Sequence, residues 1–143
     1  MNVAAILKAK GRAVTTAKPE TSVKEIADKL RAKRIGAVVI VGGSGAVEGI
    51  MSERDVIRAI AEAGEAALRS PVADFMTRNV VPCQETTTLE ELMSVMTKGR
   101  FRHLPVLDGG ALVGIISIGD VVKHHIAEVE MEVSAMRDYL ATG

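Results

Sequence analysis

Two apolar periods alternate along the chain. Val23, Ile26, Ala27 and Leu30 recur at helical spacing, as do Leu89, Leu92, Met93 and Met96, which predicts two amphipathic helices. Before each stand a hydroxyl and a carboxylate at capping-box spacing, Ser22 with Glu25 and Thr88 with Glu91. Such pairs satisfy the free N–H groups of a first helical turn. Short apolar runs follow at Ala37–Val41 and Leu104–Leu107. Each leads through a Gly-rich turn to a second run ending Gly49-Ile50-Met51 or Gly114-Ile115-Ile116. Apolar runs of this length bounded by glycine predict strands joined as hairpins. Ser52 and Ser117 stand where strand period gives way to helix period, the place of an N-cap. Short leading strands are expected near Val14–Thr16 and Val80–Pro82, with a connector from Gly64 to Pro71.

A β-α-β-β-α order is thus used twice, and its residues recur as well. Gly49-Ile50-Met51-Ser52-Glu53-Arg54-Asp55-Val56-Ile57 returns 65 positions later as Gly114-Ile115-Ile116-Ser117-Ile118-Gly119-Asp120-Val121-Val122. Thr21–Glu25 and Arg34-Ile35 return 66 positions later as Thr87–Glu91 and Arg100-Phe101. The one-residue slip falls where Gly42–Gly45 faces the shorter Asp108-Gly109-Gly110, and hairpin turns tolerate length changes. Three units are therefore expected: a first repeat with its N-terminal helix over 1–66, a second over 67–125, and a long C-terminal helix over 118–140.

That last helix carries a stripe of its own. Val122, Ile126, Val129, Val133, Met136 and Leu140 step by four and three residues in turn, a coiled-coil-like spacing. Two occupants suit it: the N-terminal helix around Ile6 and Leu7 of the same chain, or a second copy.

Composition removes several function classes. The chain has 143 residues, with 18 Lys and Arg against 18 Asp and Glu. That length suffices for one real core or two small ones, and a zero net charge gives no drive toward nucleic acid or an anionic membrane. Aromatics are 2% of the chain, too few for base-stacking platforms. A bound ring is expected between aliphatic groups, without stacking. One cysteine, Cys83, excludes an internal disulfide and fits a reducing compartment. Without a signal-like or membrane-length apolar run, the expected location is cytoplasmic. No metal-ligand grouping, nucleophile set or phosphate-binding Gly-Lys-Ser/Thr stands out, so no catalytic residue and no metal site are expected.

The two strand ends Gly-Ile-Met-Ser-Glu-Arg-Asp and Gly-Ile-Ile-Ser-Ile-Gly-Asp, with Arg100-Phe101-Arg102-His103-Leu104-Pro105-Val106, resemble the CBS domain. Two such copies in tandem resemble a CBS pair, or Bateman module. The resemblance runs from about Val3 to Lys123. It implies an α/β fold of two β-α-β-β-α repeats packed about a pseudo-twofold axis, with N- and C-terminal helices and ligand clefts at the junction. It also implies a regulatory role, with an adenosine-containing ligand: AMP foremost, NAD(H) or ATP next.

In such a cleft a carboxylate at Asp120 would accept from ribose hydroxyls. Ser117 begins a helix whose N-terminus favours phosphate, and Gly119 permits close approach. Arg102 and His103 match basic positions of the family and would neutralise phosphate. Gly36, with Ala37 and Val38, would wall the adenine, and Thr16 is a further contact by analogy. Ser52, Arg54, Asp55 and Val80 would form a second pocket, and the Asp120 pocket is expected to be the better mononucleotide site. The expected partners are a homodimer mate and a separate regulated protein, with no nucleic acid and no membrane. Local chemistry alone explains the two Ser-x-x-Asp sets as helix caps, and Lys98, Arg100 and Arg102 as a solvated basic face. A nucleotide-processing enzyme and a structural dimer with vestigial pockets remain the alternatives.

Overall fold

The computed structural model describes residues 1–142. In chain order the elements are α1 (Val3–Lys10), β1 (Thr16–Ala17), α2 (Val23–Lys33), β2 (Ala37–Val41), β3 (Val47–Ser52), α3 (Glu53–Ala63), α4 (Leu89–Gly99), β4 (His103–Asp108), β5 (Ala111–Ser117) and α5 (Ile118–Thr142). Short 3-10 turns connect α3 to the second half. In the first half β1 runs parallel to β2, which pairs antiparallel with β3; in the second half β4 and β5 form an antiparallel pair.

The leading strands are shorter than the apolar pattern predicts. β1 is two residues long and ends just before Lys18-Pro19. In place of a strand at Val80–Pro82, only Cys83 pairs, bridging in parallel to Val106. Its N–H donates to Pro105 O and its carbonyl accepts from Leu107 N, both at 2.9 Å. Pro82 has no N–H to offer a ladder, which stops the strand from extending back toward Val80.

Capping sets the helix starts. Ser22 Oγ and Thr88 Oγ1 accept from the N–H groups of Glu25 and Glu91, both at 3.2 Å, while the full reciprocal box forms at Ser52 and Asp55. α2 and α4 both end on an arginine in the left-handed region, Arg34 at φ 53° and Arg100 at φ 56°. An equivalent bond closes each half: Glu53 N donates to Gly36 O at 3.1 Å, and Ile118 N to Arg102 O at 2.8 Å. The start of the second helix is thereby pinned to the residue just before the first hairpin strand.

Two cores result. One joins Val23, Ile26, Val38, Ile40 and Met51 with Val72 and Met76 from the connector. The other joins Leu89, Leu92, Leu104, Val106 and Ile116 with Val3, Ile6 and Leu7 of α1. The N-terminal helix therefore packs on the second repeat, while the connector packs on the first. Gly114 permits this docking, since a methyl there would come within 2.7 Å of Leu7.

Candidate functional site

The N-terminus of α3 is the most heavily bonded point of the first half. Ser52 Oγ accepts from Asp55 N at 3.3 Å, and Asp55 Oδ2 accepts from Ser52 N at 2.8 Å and Ser52 Oγ at 2.9 Å. Asp55 Oδ1 accepts from Thr77 Oγ1 at 2.9 Å and lies 2.8 Å from Arg58 Nη2. Only 3% of Asp55 is exposed, and a carboxylate so buried requires this density of partners. Thr77 in turn exchanges two backbone bonds of 2.9 Å with Ile50, so the chain entering the second repeat is fastened to β3.

In front of this helix start lies a cavity of about 300 Å³, at the small end of ligand sites. Ser52, Glu53, Arg54, Asp55 and Arg58 line it from α3 and its cap; Thr77, Asn79, Val80 and Val81 from the connector; Arg100, Phe101, Arg102 and His103 from the second repeat; and Gly36 and Ile50 complete it. Both repeats thus contribute. Arg58 cancels Asp55, which leaves Arg54, Arg100 and Arg102 facing Glu53. None of those three arginines pairs with a carboxylate among the described residues. The cavity therefore carries a surplus of two positive charges. Burial holds the His103 imidazole below its ordinary pKa of 6.5; Lys10 and Arg102 push the same way, against Asp120 and Glu53. His103 meets Gly36 across the junction, where a methyl on Gly36 would lie 3.1 Å from Nε2.

The equivalent point of the second half is arranged differently. Asp120 Oδ2 accepts from Ser117 N at 2.8 Å, and Ser117 Oγ from Asp120 N at 3.1 Å. The cation on this carboxylate is Lys10, whose Nζ lies 2.6 Å from Asp120 Oδ2 and donates to Ile115 O at 2.9 Å. Burial raises the Asp120 pKa, but the bonds from Lys10 and Ser117 outweigh it and hold the carboxyl below the usual range.

The expected site residues are therefore regrouped. Gly36, Arg102 and His103, assigned with Asp120 on the sequence, line the Asp55 cavity beside Ser52, Arg54 and Val80, while Asp120 does not line it. Val38 is fully buried and Ala37 nearly so, both in the sheet. Thr16 is exposed on β1. Gly119 has only Ser117 Oγ near its missing side chain, at 3.6 Å. Phe101 puts one of the two phenylalanine rings into the cavity wall, contrary to the purely aliphatic lining expected. No group of three His, Cys, Asp or Glu among the described residues could hold a metal ion.

A profile of the CBS domain matches residues 10–62 and 72–126. The chain belongs to the CBS-domain family, as a tandem pair. It is 50% identical to a CBS-domain containing protein from Agrobacterium tumefaciens, whose crystal structure superposes with a TM-score of 0.84 over 87% of this chain and 99% of that one. The CBS domain pair of protein MJ0100, in complex with 5′-methylthioadenosine and S-adenosyl-L-methionine, is 26% identical with a TM-score of 0.80, covering 90% and 98% of the two chains. Among curated relatives, the mitochondrial CBS domain-containing protein CBSX3 of Arabidopsis thaliana is 29% identical over 146 residues, 96% of this chain and 71% of that protein. The chain spans about two thirds of the length of three of the curated relatives it matches.

The CBS repeat itself points to Ser52, Asp55, Ser117 and Asp120. Thr77, Arg58, Asn79 and Lys10 carry no such signal. Lys10 and Thr77 lie on α1 and the connector, which hold equivalent places on the two repeats, Val3 N donating to Thr87 O as Val72 N does to Thr21 O, but share too few residues for a comparison of the copies to pair them.

Proposed function

We propose that this CBS pair is a regulatory module that binds an adenine nucleotide, AMP foremost and ATP or NAD(H) next, in the Asp55 cavity. Occupancy would be signalled to a separate protein, with no chemistry done on the ligand. The observation that carries this reading is the convergence of three unpaired arginines on one small cavity at a helix N-terminus. Guanidiniums that outnumber the facing carboxylate attract an anion, and the free N–H groups of α3 add to the attraction. A phosphate monoester carries about −1.5 to −2 at neutral pH, which matches the surplus of two positive charges. Phe101, Val80 and Val81 supply apolar surface for adenine. AMP, with about 23 heavy atoms at roughly 0.3 kcal/mol each, would bind at a Kd on the order of ten micromolar.

The MJ0100 pair shows that a relative takes adenosyl ligands; the arginines here favour a phosphate over a sulfonium. Calorimetry with AMP, ATP, NADH, adenosine, 5′-methylthioadenosine and S-adenosylmethionine tests this. AMP should bind at least tenfold more tightly than adenosine or S-adenosylmethionine, and be recovered unchanged. Equal affinity for adenosine would remove the arginines from the account, and turnover of a nucleotide would favour the enzyme alternative.

The second part of the reading is a homodimer. Val122, Ile126, Val133, Met136 and Leu140 of α5 are each 44–69% exposed, and Ile57 of α3 is 68% exposed. The stripe thus lies open instead of docking on α1, whose Ile6 and Leu7 are buried elsewhere. Its four–three spacing fits a second copy of the same helix. Antiparallel pairing that matches Val122 with Leu140, Ile126 with Met136 and Val129 with Val133 would set Lys123 near Asp138 of the mate. Light scattering should give twice the chain mass, falling to the monomer for Ile126→Glu with Val133→Glu; a wild-type monomer would refute it.

A further inference from the structure

The two Ser-x-x-Asp helix starts present the same carboxylate to unlike cations. Arg58 reaches Asp55 from one turn along the same helix and continues to Phe75 O at 2.8 Å, which leaves the cavity before Ser52 open. Lys10 reaches Asp120 from the far end of the sequence. It is the last residue of α1, and Gly11 at φ 99° turns the chain away directly after it. α1 is fixed along its length. Val3 N donates to Thr87 O and Ala4 N to Glu85 O, both at 2.9 Å, and Val3, Ile6 and Leu7 are buried. Beyond the turn, Arg12 pairs with Glu85. Lys10 is therefore placed by structure on both sides of it, and its ammonium is committed twice, to Asp120 Oδ2 at 2.6 Å and Ile115 O at 2.9 Å.

We infer that Lys10 is a built-in plug that holds the Asp120 half-site closed to ribose. Each chain then takes one adenosyl ligand, at the Asp55 cavity, and gains a second only when the ammonium is withdrawn. This rests on the reading of the Asp55 cavity given above. A ribose hydroxyl entering at Asp120 would replace an ion pair with a single hydrogen bond to the carboxylate. It would also strand the Lys10 ammonium without its carboxylate partner. At the Asp55 cavity a nucleotide phosphate meets unpaired arginines and relieves their repulsion. The Asp55 carboxylate is itself filled by Ser52, Thr77 and Arg58, so what sets the half-sites apart is the arginine-lined cavity beside Asp55 against the Lys10 ammonium placed by α1 over Asp120.

Calorimetric titration of AMP into the full chain tests this, with stoichiometry as the readout. The wild type should bind one AMP per chain. Lys10→Met, which keeps the stem and removes the charge, should bind two, with the second site within about tenfold of the first; Lys10→Gln should do the same. Lys10→Arg should stay at one. In the Lys10→Met background, Asp120→Ala should return the count to one. Two AMP per wild-type chain, or one per chain in both neutral variants, would overturn the plug. Binding by none of the variants and not by the wild type would instead overturn the adenosyl reading beneath it.

Discussion

Lys10 Nζ and Asp120 Oδ2 stand 2.6 Å apart, and this bond ties the first helix of the chain to the last. Its counterpart in the first repeat, Asp55 with Arg58, is an i,i+3 pair within one helix, yet Asp55 is the more deeply buried of the two carboxylates. It alone also holds the connector, through Thr77.

That difference should be measurable in stability. Asp55→Ala takes the acceptor from the Thr77 hydroxyl and breaks the capping box with Ser52, while the half-exposed Arg58 keeps Phe75 O, at an expected cost of about 2–4 kcal/mol. Asp120→Ala loses a cap and a partly exposed ion pair, at about 1–2 kcal/mol. Urea unfolding of the two variants checks the order; equal losses would contradict the pinning role of Asp55.

His103 makes stability depend on mildly acid pH. Its pKa in the folded chain lies below the ordinary 6.5, because burial and the charges of Lys10 and Arg102 disfavour the imidazolium. Between those two values the unfolded chain binds a proton that the folded chain does not, so stability rises with pH there. The contribution is complete above about pH 6.5 and is lost as pH falls through the folded value. The melting temperature of the wild type should therefore drop more between pH 7 and pH 5 than that of His103→Gln. Parallel curves would mean that the imidazole does not titrate differently on folding.

Cys83 should be chemically quiet. Burial pushes its thiol up to about 11, its backbone is held between Pro105 and Leu107, and the thiolate is the reactive form. Iodoacetamide at pH 8 should label it slowly in the folded protein and rapidly in urea; fast labelling without denaturant would show that this bridge opens readily.

The duplicated order of elements was legible because each copy repeats its caps, its glycine turn and its apolar runs. Amphipathic spacing at Val23, Ile26 and Leu30, and at Leu89, Leu92 and Met96, names residues that are buried in the structure. The second leading strand was overread because Val80 and Val81 look like a strand, while Pro82 removes the N–H that would have extended it. The site was less legible than the fold. Comparing the repeats pairs Gly36 with Arg102, but not which helix start each side chain faces. That depends on packing across the junction, where Gly36 leaves room for His103. Lys10 and Thr77 escape for a different reason, since α1 and the connector hold equivalent places on the two repeats but share little sequence by which to recognise it.

An adenine nucleotide is expected to occupy the cavity at Asp55, between the repeats. Backbone-amide NMR during titration with AMP reports this most directly, since amides nearest the ligand shift most. Saturable shifts are expected at Gly36, Ser52, Glu53, Thr77, Asn79 and Arg102, with Gly119 and Asp120 little changed. Shifts centred on Gly119 and Asp120, with the Ser52 and Thr77 amides unmoved, would contradict it.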